Sequence, residues 1–187
     1  MAIFYSGGCH GTDYYFTKYA ILNGDKVRLC SFSSHIKSIY HHYKNLIDYD
    51  NLKIISYTDK KLSQADEKIN SSNKILKRYL PISNRYVMNL FRRDYHTTKK
   101  CERLYAVGTI TNNKINGGTA WGCQFYIDNG GKELYFYDQD KKYWILNLID
   151  KQIEPPKLIG YTGIYAGIGT REITKDGISA IKKLYIN

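Results

Sequence analysis

The stretch Ala2-Ile3-Phe4-Tyr5-Ser6-Gly7-Gly8-Cys9-His10-Gly11-Thr12-Asp13 sets the reading of this chain. Residues 2–5 make a short strand, and three glycines then mark a tight turn. From Thr12 to Leu22, Phe16, Tyr19 and Ala20 lie at helical spacing until Asn23-Gly24 closes the segment. A strand that turns on glycines into a helix leaves backbone N–H groups at the helix's positive end, a natural seat for an anion. Two more turns share this form, Gly117-Gly118-Thr119-Ala120-Trp121-Gly122 and Gly167-Ile168-Gly169-Thr170-Arg171-Glu172. Three of them predict a nucleotide-like ligand at the strand ends of one sheet.

Outward from these turns, short apolar runs alternate with helical patterns. Strands are expected at 27–30, 52–55, 104–107, 134–137, 143–148 and 161–166. Leu62, Ala65, Ile69, Leu76 and Tyr79 keep helical spacing up to Pro81, and a terminal helix follows Thr174. Val87, Leu90, Phe91 and Tyr95 form another stripe, with Arg92 and Arg93 off that face. The expected fold is α/β: a single Rossmann-like domain over residues 1–187, with a mainly parallel sheet flanked by helices.

Composition narrows the function classes. Of 187 residues, 43% are hydrophobic and 14% aromatic, which argues against disorder. No apolar run approaches the ~18–20 residues of a membrane span. The first residues lack the layout of a signal peptide, so a cytoplasmic protein without membrane partners is expected. Cys9, Cys30, Cys101 and Cys123 are scattered with no C-x-x-C spacing, which predicts reduced thiols. No metal set is legible, and no cofactor is expected. The net charge is +11, with nine Lys/Arg against two acids between Lys74 and Arg103. That block reads either as a field for polyanions or as a solvated basic face.

The motifs resemble the SLOG superfamily of Rossmann-like domains, and within it the circularly permuted YpsA-like branch. In unpermuted members a strand ending in a Gly-Ser/Thr-Arg turn comes first, and a Ser-Gly-Gly-x-x-Gly-x-Asp turn second. Here Ala166-Gly167-Ile168-Gly169-Thr170-Arg171-Glu172 stands at the end and Ser6-Gly7-Gly8-Cys9-His10-Gly11-Thr12-Asp13 at the start. The resemblance implies that the first and last strands are neighbours and that the three turns share one cleft. Permutation is tolerated where termini lie close together.

The resemblance also implies ligand-binding residues. Gly7, Gly8 and Gly11 would cradle phosphate, with Ser6, His10 and Thr12 donating to the ligand; each equally serves a tight turn. Asp13 either accepts from ribose hydroxyls or complements the helix dipole. Gly117, Gly118 and Thr119 resemble the turn of the lysine-decarboxylase-like nucleosidases of the same superfamily, whose glutamate three residues beyond the threonine is Gly122 here. Arg93 matches a family arginine. Gly169, Thr170, Arg171 and Glu172 form the third turn, where Arg171 reads as a phosphate fork or as an ion pair with Glu172. Trp121 and Tyr5 are candidates to stack on a base.

By this resemblance the chain would bind, and sequester or sense, a nucleotide-derived signal such as a cyclic nucleotide or an ADP-ribose derivative. The setting would be conflict between bacteria and phages, for example as a viral anti-defence protein. No catalytic residue is assigned, since Gly122 replaces the acid. The alternatives are a hydrolase of the phosphoribohydrolase type and a binder of single-stranded nucleic acid, the latter favoured by the basic block with Tyr79, Tyr86, Phe91 and Tyr95 interleaved. A homo-oligomer is compatible with each.

Overall fold

The computed structural model describes residues 1–186. In chain order the elements are β1 (Ile3–Ser6), α1 (Thr12–Leu22), β2 (Lys26–Phe32), α2 (Ser33–His42), β3 (Leu52–Tyr57), α3 (Asp59–Leu62), α4 (Asp66–Leu76) and α5 (Arg85–Thr98). They continue with β4 (Arg103–Gly108), β5 (Ile110–Thr111), β6 (Lys114–Ile115), α6 (Thr119–Asp128), β7 (Glu133–Asp138), β8 (Tyr143–Leu146), β9 (Gln152–Ile153), β10 (Ile164–Gly169) and α7 (Lys175–Leu184). Eight strands form one sheet in the order β3-β2-β1-β10-β4-β7-β8-β9. The first six run parallel, and β8 and β9 are antiparallel. This is a Rossmann-like α/β domain.

Both faces of the sheet are covered, so its strands read as near-continuous apolar runs. Alternate side chains divide between two cores. Phe4, Val27, Leu29, Tyr105, Val107 and Tyr165 pack with Phe16 of α1, Ile39 of α2 and Ile181 of α7. Leu104, Ala106, Leu134, Phe136, Ala166 and Ile168 face the other way, onto Ala120 and Cys123 of α6. The crossover β1-α1-β2 runs toward one edge, and β4-α6-β7 toward the other. Opposed crossovers of the usual hand put α1 and α6 on opposite faces. The crevice between them lies over the carboxyl ends of the central strands.

The first and last strands are neighbours, as expected: Ile3, Phe4 and Tyr5 pair in parallel with Ile164, Tyr165 and Ala166. The last strand begins later than the sequence reading placed it, at Ile164 instead of Tyr161, because its register follows β4, with Gly169 opposite Val107. The helical pattern from Leu62 is interrupted and stops at Leu76. Lys77 adopts a left-handed conformation (φ 51°) and donates its N–H to the Asn73 carbonyl, so Tyr79 lies beyond the helix. Between the fourth strand and the second glycine turn stands an unanticipated hairpin, β5–β6. Its turn residues Asn112 and Asn113 both have positive φ, as a two-residue hairpin turn demands.

The terminal helix is capped by Thr174, whose Oγ1 accepts the Gly177 N–H at 3.1 Å. Thr174→Ala should lower stability by about 1 kcal/mol, read as a shift in the urea unfolding midpoint with unchanged slope. A value near zero would mean that the buried face of α7, through Ile181 and Leu184, carries the helix alone.

Candidate functional site

A cleft of about 580 Å³ opens over the ends of β4 and β10. Gly169, Thr170, Arg171 and Glu172 of the third turn line it, as do Gly117, Gly118 and Thr119 of the second. From the first turn only Cys9 and Asp13 reach it. The expected convergence of all three turns is therefore corrected for Ser6, Gly7, Gly8, His10, Gly11 and Thr12.

The reason is that the first turn is spent on the third. Ser6 Oγ donates to the Gly167 carbonyl at 2.8 Å. The Thr12 N–H and Oγ1 both donate to the Thr170 carbonyl, at 3.1 and 2.8 Å. Ser6 and Thr12 are fully buried. Gly11 has φ 79°, and a Cβ there would lie 2.4 Å from the Arg171 carbonyl oxygen. Backbone thus packs on backbone where a phosphate cradle was expected. His10 is exposed and sets its ring against His42, with centroids 5.1 Å apart. Trp121 does not line the cleft either: it is buried and stacks on Phe91 with centroids 4.8 Å apart.

Gly7 has a different reason to be glycine. A Cβ at this position would fall 1.1 Å from Arg93 Nη1. Arg93 was expected off the packed face of α5, yet it is 2% exposed and lies on Gly7. Its Nη1 is 3.0 Å from Asp94 Oδ1 and 3.8 Å from Asp13 Oδ2, and its Nη2 donates to Cys9 Sγ at 3.2 Å. Asp13 Oδ2 also accepts the Cys9 N–H at 3.1 Å. Arg93 Nε is buried without a partner among the described residues. The α5 stripe is amphipathic in an unexpected sense: polar side chains point inward, while Val87, Leu90 and Phe91 give the cleft an apolar wall.

Burial sets the ionisation here. It pushes the Asp13 carboxyl up to about 7, although Arg93 pulls the other way. Asp94 is raised for the same reason. Burial opposes charge on Arg93, but Asp94, Cys9 and Asp13 outweigh it and hold the guanidinium protonated. His35 Nε2 lies 4.0 Å from Cys9 Sγ, which resembles a nucleophile and its base. Burial and then Arg93 depress His35 to about 3, and burial raises the Cys9 thiol. The pair is therefore a neutral thiol beside a neutral imidazole, not an activated thiolate.

The second turn opens α6 with no side-chain cap. The Trp121 N–H donates to the Gly118 carbonyl at 3.0 Å, so the N–H groups left at the helix's positive end are those before it. Gly122, the position of the acid in the nucleosidase motif, lies within the α6–β10 packing: a Cβ there would be 2.5 Å from Ile168 Cδ1. The obstructing atom is the end of a movable side chain, and Gly122 itself lines the cleft, so what the position lacks is the acid and not the space. The cleft's own ionisable carboxylates are Asp13, Asp94 and Glu172, set against the guanidiniums of Arg93 and Arg171. Its deep end is therefore no seat for a polyanion. The α6 terminus and the exposed Arg171 are complementary to an anion, and Asp13 and Asp94 to hydrogen-bond donors.

Sequence reasoning missed Cys9, Asp94, Asn116 and the apolar wall of α5. Asp94 had a signal, an acid directly beside the singled-out Arg93. The wall had one too, in the stripe itself. Among the described residues no helix is long and apolar enough to cross a membrane, and no three His, Cys, Asp or Glu are grouped to hold a metal. No family model, curated protein or solved structure matches the chain.

Proposed function

We propose that this cleft binds a nucleotide or a nucleotide-derived small molecule and releases it unchanged, in a protein that sequesters or senses the ligand. One observation carries the reading. At the switch point of an open α/β sheet, a single cleft brings together an uncapped helix terminus, a buried arginine with an unpartnered Nε, two carboxylates and an apolar wall. The helix terminus matches phosphate, the carboxylates and the arginine between them match sugar hydroxyls, and the wall matches a base. The resemblance of the glycine turns to the permuted SLOG branch supports the same class, and with it a role for a viral protein against a nucleotide-signalled defence.

Mass spectrometry of small molecules released from heat-denatured protein is the direct test, and it should find a phosphorylated nucleotide derivative. Arg171→Ala should then weaken binding of that compound by ~1.5–3 kcal/mol, the loss of a charge-assisted hydrogen bond. Calorimetry would read this as roughly tenfold to a hundredfold in Kd. Unchanged affinity would return Arg171 to a structural role.

A second reading, a hydrolase of N-glycosidic bonds, has one observation in its favour. Asp13, poised near pH 7 in the cleft, is a carboxyl that can give or take a proton there. Multiple turnover of a nucleotide that Asp13→Asn abolishes would establish the hydrolase and overturn the binder.

A further inference from the structure

On the α6 side of the sheet a second cavity, of about 430 Å³, opens between the end of α4, the β5–β6 hairpin, α6 and β8. One wall of it is aliphatic, with Ile75, Ile115, Ile127, Ile145 and Leu148 contributing, and polar and charged side chains complete the lining. Ile75 and Ile127 are 60% and 42% exposed, so an occupant would remove apolar surface from water. The charges around the cavity are unbalanced. Lys141 is matched by Asp150 at 2.5 Å, whereas Arg78 and Lys114 have no carboxylate partner among the described residues. An aliphatic wall beneath two uncompensated cations is complementary to an apolar molecule that ends in an anion. The volume suits a small molecule.

Arg78 connects this cavity to the cleft. Its guanidinium donates to the Gly117 carbonyl at 2.5 Å and to the Ile115 carbonyl. Those carbonyls belong to the segment that leads into α6 and contributes Gly117 to the cleft. The Arg78 backbone is fixed in turn, by left-handed Lys77 and by a 3.2 Å bond from its own N–H to Asn73 Oδ1. A carboxylate drawn to Arg78 would bind the same guanidinium that holds both carbonyls, which links the cavity to the turn that presents the α6 N–H groups.

We propose that this cavity is a binding site for an amphipathic organic anion, an aliphatic body ending in one carboxylate, and that Arg78 couples its occupancy to the turn before α6. The binding site does not rest on the nucleotide reading of the cleft. Sodium decanoate, titrated below its micelle threshold into the isotope-labelled full chain, is the probe. The expected result is a set of saturable NMR shifts at Ala120, Ile127 and the amides of Gly117 to Thr119. Decanol, the same chain without the charge, should bind at least about tenfold more weakly. Ile127→Glu changes an exposed position and should weaken decanoate at least about tenfold with the unfolding midpoint unchanged. Arg78→Gln should weaken decanoate toward the affinity of decanol, and with Lys114→Gln added should reach it.

Shifts that fail to saturate, decanol binding as tightly as decanoate, or indifference to Ile127→Glu would overturn the proposal. So would binding to phosphatidylcholine vesicles without binding to monomeric decanoate, which would make the patch a membrane contact. Self-association that Ile127→Glu abolishes would make it an interface between copies of the chain, and would overturn the proposal as well. Decanoate binding with the expected pattern stands whether or not a nucleotide enters the cleft.

Discussion

Gly7→Ala should destabilise the protein by about 3–5 kcal/mol, a large part of the stability of a domain this size. The added methyl would stand 1.1 Å from Arg93 Nη1, so the guanidinium must leave its seat. Its departure strands Asp13 and Asp94 in a buried site without their counter-charge. Removing one partner from such a cluster costs far more than the intact cluster contributes, because the buried carboxyls must then stay charged out of water or take up protons. Urea denaturation of three variants tests the cause as well as the size. Arg93→Ala should lose a similar amount, and Gly7→Ala combined with Arg93→Ala should be little worse than Arg93→Ala alone. Fully additive losses would mean that Gly7 serves only its turn.

Asp13→Asn should change how stability depends on pH. The folded-state value of Asp13, about 7, lies above the ordinary carboxylate range, so the folded protein holds this proton more tightly than the unfolded chain. The stability it contributes is complete below about pH 4, and is lost as pH rises through about 7. The asparagine variant lacks this loss. Between pH 4 and 8 its stability should therefore rise relative to the parent by on the order of 2–4 kcal/mol, read from urea midpoints at several pH values. The raised Asp94 keeps some slope in both proteins. Parallel profiles for parent and variant would show that Arg93 keeps Asp13 ionised throughout.

Both effects arise from one cluster, and only part of that cluster was legible in the sequence. Asp13 and Arg93 were singled out, one from the start of a helix and one from the family resemblance. Their contact was not, because it joins α1 to α5, as distant in the chain as Cys9 and Arg93 at 84 positions, and no local periodicity records such a distance. The α5 stripe misled for the same reason. Helical spacing shows which residues share a face but not what that face meets, and here the buried face meets an ion cluster while the apolar face both borders a cleft and packs on Trp121 and Phe125. The β5–β6 hairpin had a signal in Asn112-Asn113, two residues that tolerate positive φ. The helix α2 was not anticipated, although His35, Ile39 and Tyr43 recur at a helical interval and all are buried.

What the sequence by itself determined is what short-range stereochemistry dictates. Apolar runs of four to seven residues had to become strands buried on both faces, and the intervening stripes had to become helices. Glycine-rich breaks had to turn one into the other, and the alternation of elements implied a parallel sheet with its loops at the strand ends. Tertiary structure alone decided what each glycine turn is for. Gly7 makes room for Arg93, and Gly11 lets the first turn lie on the third. Ser6 and Thr12 give their hydroxyls to carbonyls 161 and 158 residues away, and Trp121 turns into the core. A glycine turn has the same local sequence whether phosphate, a guanidinium or another backbone lies against it, because the missing side chain leaves space without specifying what fills it.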